Sequence, residues 1–423
     1  MSLYTREEVA ANERLSVRNG AFAMIGITIT ANYAALFVLK PLHGNSEDVA
    51  LLNSLPALMM IFATWAGAAW LARTEGKLRF CAGATAAARL FYLLIALAPV
   101  LIRGPAVAFT VVLLIAVMNF PQSLSNLSWQ SLIGDLVPAE RRAGFFSLRN
   151  RVLTVVGMLA TLVPGLVLQL FPVDSAPPYQ VFFFLAAGFS FFEIYYLARH
   201  RERTDRRPDR AQPALLSLRA FAGCLRRAPY RRFLLAAALY NLGWQMSWPV
   251  FSIYQIQYAG ATAIWISAFN VAAQTTQILT FGLWGRLSEK YGTGAMFAAS
   301  CAGIAVTPAL TILSRNLPYL VAINLLSGAF VSGVGMLQFN RLLEVAPEAE
   351  RTSYIAHFNI SLGIVGFIAP QIGVWLLGAI HMDPDMLTSA ALRFAGVAAL
   401  LWSADALRRP SLPPGFPPRG SWP

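Results

Sequence analysis

The chain has 423 residues, of which 57% are hydrophobic and only 13% charged, and its formal net charge is +13. A soluble chain carries about 25% charged residues, so this composition excludes an ordinary water-soluble globular protein and a disordered polymer alike. A basic excess can serve nucleic acid, but its placement along the chain points to a membrane surface and to no nucleic-acid partner.

Apolar runs near the ~20 residues that cross hydrocarbon recur in chain order at 19–40, 49–72, 80–102, 106–135, 151–171, 179–198, 233–257, 262–285, 294–313, 318–342, 357–379 and 387–407. Twelve such spans predict an all-α membrane protein with two pseudo-symmetric six-helix bundles. Residues 1–198 are the first bundle, 199–232 a linker, 233–407 the second bundle, and 408–423 a Pro-rich tail without periodicity, expected to be disordered. The segment before the first span is polar and that span is full length, so no cleavable signal peptide is expected. Cys81, Cys224 and Cys301 are scattered and form no metal or redox spacing. They read as small packing residues, with no metal site and no cofactor.

If the N-terminus is cytoplasmic, the outer side holds only Lys40, Arg103 and Arg315, and Arg89 and Arg393 fall within spans, leaving 28 of the 33 basic residues inside. This is the positive-inside asymmetry and places both termini in the cytoplasm of a bacterial-type inner membrane. The linker holds eleven arginines between Arg199 and Arg232 against Glu202, Asp205 and Asp209. Such a segment gains attraction from anionic inner-leaflet lipids. Within it Leu215, Leu216, Leu218, Phe221, Ala222 and Leu225 suit a short amphipathic helix lying on that leaflet.

The chain is also duplicated. Asp135, Pro138, Arg142, Asn150 and Gly157 recur as Glu344, Pro347, Arg351, Asn359 and Gly366 at a constant offset of 209, which Asn32 and Asn241 share. Repeated membrane bundles belong mostly to transporters with a central site between the halves. Pro138 and Pro347 stop a helix, and an acid one turn earlier opposes the helix dipole. Asp135 with Arg142, and Glu344 with Arg351, are therefore expected as structural ion pairs.

Polar residues inside spans point to the bundle interior. In chain order these are Thr28, Asn32 and Tyr33 on span 1, Asn53 on span 2, and Asn119, Gln122, Ser123, Asn126 and Gln130 on one face of span 4. Span 7 carries Tyr240, Asn241, Trp244, Gln245, Trp248, Tyr254 and Gln255, and span 8 carries Asn270, Gln274 and Gln277. Spans 10 and 11 add Asn324, Gln338, His357, Asn359 and Gln371. These residues either line a solute pathway or bond helix to helix, for which the same residue types serve. Only Glu193 in span 6 and His357 near the start of span 11 stand out as groups that could titrate in proton coupling. No phosphate-binding loop, metal spacing or nucleophile elbow is present, so no enzyme is expected.

Two bundles joined by a basic linker resemble the major facilitator superfamily. The segment after span 8, Gly285-Arg286-Leu287-Ser288-Glu289-Lys290-Tyr291-Gly292, is similar to that family's loop motif, with Glu289 at the acid position. Its counterpart after span 2 is degraded, with Ala69 for the first glycine and Arg73 for the acid. The resemblance covers residues 19 to about 407. It implies that spans 1, 4, 7 and 10 line a cavity, and that Glu289 latches the cytoplasmic side by facing Arg149 or Arg151. The alternative for Glu289 is a solvated turn. It also places spans 3 and 6 side by side, so Arg89 and Glu193, at similar depth, are expected to pair. The expected function is secondary transport of a small neutral or amphipathic solute by a monomer, with export first. The alternatives are uptake or facilitated diffusion of a polar metabolite, and a non-transporting assembly factor for a pigment or lipid complex.

Overall fold

The computed structural model describes residues 5–74, 76–202, 218–347 and 350–402. The regular structure among them is helical, in chain order α1 (Arg6–Leu39), α2 (Ser46–Arg73), α3 (Lys77–Leu101), α4 (Ala106–Leu136), α5 (Ala139–Leu168), α6 (Pro177–Ala198), α7 (Leu218–Arg226), α8 (Ala228–Ile253), α9 (Ala263–Tyr291), α10 (Thr293–Ala305), α11 (Thr307–Ile312), α12 (Leu317–Val345), α13 (Arg351–Ile380) and α14 (Met382–Trp402). A π turn, Tyr254–Tyr258, extends α8. Ten segments are long and apolar enough to cross a membrane among the described residues. Helices α8 and α9, of 26 and 29 residues, are long enough, but their amides and indoles dilute the apolar content.

α10 and α11 are one span with a break at its middle. Pro308 has no N–H to give the carbonyl of Ile304 four residues earlier. The guanidinium of Arg393 on α14 supplies the missing donor, with Nη1 2.8 Å from the Ile304 oxygen. The same side chain reaches the Gly243 carbonyl at 3.3 Å and the Ser247 hydroxyl, and is fully buried. Arg393 thus satisfies a broken helix, and its cation lies at the negative end of the α10 dipole.

The duplication in sequence is a duplication in packing. In the first half α1 packs on α5 and α6, while α3 packs on α4 and α6 and α2 on α4. In the second half α8 packs on α13 and α14, while α10 packs on α12 and α14 and α9 on α12. The halves meet along two seams, α2 with α13 and α5 with α9. Gly157 and Gly366 show why a glycine recurs. A Cβ on Gly157 would stand 3.2 Å from Met24 Cε on α1, and one on Gly366 only 2.6 Å from Gln245 Oε1 on α8. Each glycine lets the fifth helix of its half lie close against the first.

Several boundaries differ from the sequence reading. α1 begins at Arg6, thirteen residues before the first span, held by a Thr5–Glu8 capping box. This extension packs: the Asn12 side-chain amide donates to the Arg201 carbonyl at 3.3 Å and accepts from the Arg201 N–H at 3.0 Å, and Glu13 takes a bidentate bond from Arg141 at 2.9 and 2.7 Å. The segment Gly285 to Tyr291 is the last two turns of α9 rather than a loop. Within it and its flank only Gly292, at φ +93°, needs to be glycine. Glu140 to Arg142 lie in the opening turn of α5. The tail at 408–423, linker residues 203–217 (Leu215 and Leu216 included), Glu75, and the side chains of Asp135, Arg142 and Arg351 lie outside the described part.

The linker helix α7 is strongly amphipathic, yet it lies on protein. Phe221 stacks on His357 of α13, with ring centroids 5.3 Å apart, and Cys224 is buried beside the same imidazole. The buried cluster at the base of the second half includes Cys224, Tyr230 and Tyr354, with Phe221 and Leu225 packed against it. Its apolar face is therefore spent on α13 and α8, which offered a closer apolar surface than the leaflet.

Candidate functional site

A cavity of about 340 Å³ is walled by the first half and meets the second at Ser252. Its walls are Ile27, Thr30, Ala31, Ala34 and Ala35 of α1, Leu52, Asn53 and Pro56 of α2, Tyr92 of α3, Ile115, Met118, Asn119 and Gln122 of α4, and Ser252 of α8. The apolar residues are those that a membrane helix turns inward for packing. The polar ones are neutral. Asn119 and Gln122 come from the α4 face read from the sequence. Asn126 and Gln130 continue that face toward the end that carries the chain termini, and both are exposed.

Behind Gln122 stands a buried ion pair. Arg89, 4% exposed, binds Glu193 through Nε at 2.7 Å and Nη2 at 2.8 Å. Its Nη1 reaches Tyr92 at 3.2 Å and Gln122 Oε1 at 2.5 Å. Gln122 in turn donates from Nε2 to Asn126 Oδ1 at 3.1 Å. A bidentate pair satisfies two buried charges that would each be expensive alone. The backbone oxygen of Glu193 also accepts from Asn19 at 3.0 Å. Both Glu193 oxygens are thus engaged.

At the end of the molecule away from the termini the two halves are tied together. The hydroxyls of Tyr33 on α1 and Ser267 on α9 lie 2.6 Å apart. Both reach the Thr161 carbonyl of α5, Ser267 at 3.0 Å. On the other seam Gln371 of α13 donates to Ser54 of α2 at 2.7 Å. A Cβ on Gly165 would overlap the Ser267 hydroxyl, so α5 approaches α9 there only because that residue is glycine.

The remaining candidates are spread through the structure. Asn32 donates to Thr161 Oγ1 at 2.8 Å and Tyr33 is buried in the seam, so both join helices rather than line the cavity. Asn241 is buried and donates to the Ala237 carbonyl at 2.8 Å and to Gln338 of α12 at 3.2 Å. Tyr240 is fully buried against α14, where Gly396 admits it, because its side of α8 faces the bundle core. Trp244 packs between Tyr240 and Trp248, the latter 42% exposed. Gln245 touches Gly366 at the α2–α13 seam. Asn270 bonds back to Ile266 at 2.8 Å, and Gln274 is half-buried on the same helix.

The charged candidates divide as well. Arg149 lies over Trp129 at 4.1 Å, inside its own half, and Arg151 is exposed. Glu289 is exposed on the last turn of α9. Glu344 pairs with Arg341 at 2.8 Å, one turn earlier on its own helix. His357 is buried under α7, with Nδ1 2.7 Å from the Ser353 carbonyl, and it is not among the cavity walls. Sequence reasoning missed three elements. Thr161 and Ser267, short hydroxyls common in any membrane helix, carry no signal of their own. Asp385 is 1% exposed in the first turn of α14, ahead of the expected start of that span, where the helix dipole favours it.

Comparison with known proteins agrees with this architecture. No curated protein matches the chain. Solved structures that share the fold include a mutant of the nucleoside transporter NupG (TM-score 0.73, 12% identity, covering 92% of this chain and 100% of that one). A D-xylose-proton symporter gives a TM-score of 0.69 at 11% identity over 95% of this chain and 98% of its own. The peptide transporter POT, solved with sulfate, gives 0.66 at 14% identity over 94% and 95%. A family model described as Major Facilitator Superfamily matches residues 19–239 and again 233–421. With both halves matched and the paired bundles in place, the chain belongs to the major facilitator superfamily.

Proposed function

We propose that this multi-pass membrane protein is a secondary transporter that exports a small neutral or amphipathic organic solute, working as a monomer by alternating access. The observation that carries this reading is the cavity itself. It is walled by α1 to α4 and reaches the other half at Ser252, its polar groups are uncharged, and its nearest charge, Arg89, is already neutralised by Glu193. A polyanion would find no free cation there, whereas amides, hydroxyls and aliphatic walls suit a neutral solute of modest size. Apolar walls at Ile27, Leu52, Ile115 and Met118 favour solutes that partition into lipid, for which export is the useful direction. The bonds at Tyr33, Ser267 and Gln371 hold one end closed, and rocking of the halves would exchange them for contacts at the other. Under the basic asymmetry the closed end is external, the termini are cytoplasmic, and the membrane is the bacterial-type inner membrane.

Among the described residues the cavity wall carries no carboxylate or histidine to serve proton coupling. Glu193 serves the Arg89 pair, and His357 holds the linker helix. The test is a thermal-shift screen of purified protein against neutral metabolites, drugs and small organic anions, since a ligand that binds the native state raises its stability. Stabilisation by neutral compounds is expected. Stabilisation confined to di- and tri-anions would overturn the reading.

A further inference from the structure

The relay behind the cavity has a direction that chemistry imposes. Arg89 is a donor with no acceptor atom. The Gln122 atom that meets it, 2.5 Å away, must therefore be the carbonyl oxygen. That leaves the Gln122 nitrogen to face Asn126, so the Asn126 atom it meets at 3.1 Å must also be an oxygen. The Asn126 amide nitrogen is the free end of the chain, and it lies on the exposed face of α4 one turn beyond the cavity wall. Either amide reversed would set donor against donor, so the order is fixed by chemistry.

The other asparagines near the centre are oriented the opposite way. Asn53 and Asn119 give their nitrogens to the Val49 and Ile115 carbonyls of their own helices, at 2.8 and 2.7 Å. Each keeps its oxygen, and one further N–H, for the cavity. The relay thus fixes N–H groups outward at Gln122 on the wall and at Asn126 one turn beyond it, with the Asn53 and Asn119 oxygens nearby.

We infer that the Glu193–Arg89–Gln122–Asn126 relay makes α4 a hydrogen-bond donor surface, and that the solute is selected for an acceptor oxygen or ring nitrogen presented to Asn126. This inference rests on the proposed reading of the cavity as a solute site. It makes Arg89 and Gln122 positioning residues for specificity, with Asn126 the contact.

The test uses two planar bicyclic probes of similar size, coumarin, which only accepts hydrogen bonds, and indole, which only donates one. Wild type should be stabilised by coumarin with an affinity about threefold to tenfold tighter than for indole, the value of one neutral hydrogen bond. Asn126→Asp replaces the donor by an acceptor at an exposed position that tolerates change, and should invert the preference. Gln122→Glu keeps the bond from Arg89 and forces Asn126 to donate inward, and should invert it too. A ligand-free readout accompanies this. In protein labelled with ¹⁵N in asparagine side chains, the Asn126 signal is the one lost in Asn126→Asp, and it should move downfield in Gln122→Glu. Equal binding of the probes, or a preference for indole in wild type, overturns the solute class. An unmoved Asn126 signal overturns the relay. A moved signal with no binding of either probe keeps the relay and overturns the cavity as a solute site, so the two failures are told apart.

Discussion

Arg89 on α3 and Glu193 on α6 meet in a bidentate ion pair at 2.7 and 2.8 Å, both almost fully buried, 104 residues apart in sequence. Breaking such a pair leaves a charge without its partner in a low-dielectric interior, at about 3–5 kcal/mol. Arg89→Ala and Glu193→Ala should each lower folded yield and stability by that order. The double variant should recover part of the loss, which a double-mutant cycle in detergent would read directly.

Tyr33, Ser267 and Thr161 join the halves at the end of the molecule away from the termini, and Gly165 makes room for that contact. Gly165→Ala should wedge the α5–α9 seam open. Tyr33→Phe and Ser267→Ala each remove a hydrogen bond worth about 0.5–1.5 kcal/mol, shifting the closed population by roughly twofold to tenfold. Spin labels at Glu47 and Gln257, which are exposed on opposite halves at that end, should show a longer distance component in all three variants.

Orientation is tested separately. A single cysteine at Gln257 should react with an impermeant reagent from outside intact cells, while one at Lys290 should react only after permeabilisation. The basis is the crowding of positive charge on the side of Lys290. The reverse pattern would invert the molecule and the direction assigned to transport.

His200, just past α6, gives a pH dependence. Burial holds its imidazole below the ordinary value of 6.5, with Nδ1 against the Leu197 carbonyl at 2.9 Å. The unfolded chain then binds a proton that the folded chain refuses. Stability is full above about pH 6.5 and falls as pH drops from there toward the lower folded value. His200→Gln should flatten that fall, as measured by thermal unfolding between pH 7.5 and pH 5.

Much of the fold was legible because the bilayer imposes a simple rule. Span length and the 209-residue repeat can be read along the chain without tertiary knowledge, and both survive into the packing of α1 to α6 and α8 to α14. The α4 face was legible for the same reason, since Asn119, Gln122 and Asn126 share a helix side by spacing alone. Tyr240 and Tyr33 show the limit. A polar side chain inside a span faces either a cavity or a neighbouring helix, and only the tertiary arrangement decides. Tyr240 went to the core against Gly396, and Tyr33 to the seam. The helix α7 shows the same limit for amphipathic faces, because its pattern asked for an apolar partner without saying whether lipid or α13 would supply it. Asp385 was passed over because the predicted start of the last span fell five residues late.

The account stands most directly on flux. Protein reconstituted into lipid vesicles should move a neutral solute found in the thermal-shift screen, saturably, and Gly165→Ala should change the rate without abolishing binding. A solute that binds the protein yet crosses its vesicles no faster than protein-free ones would contradict transport and leave a membrane assembly role in its place.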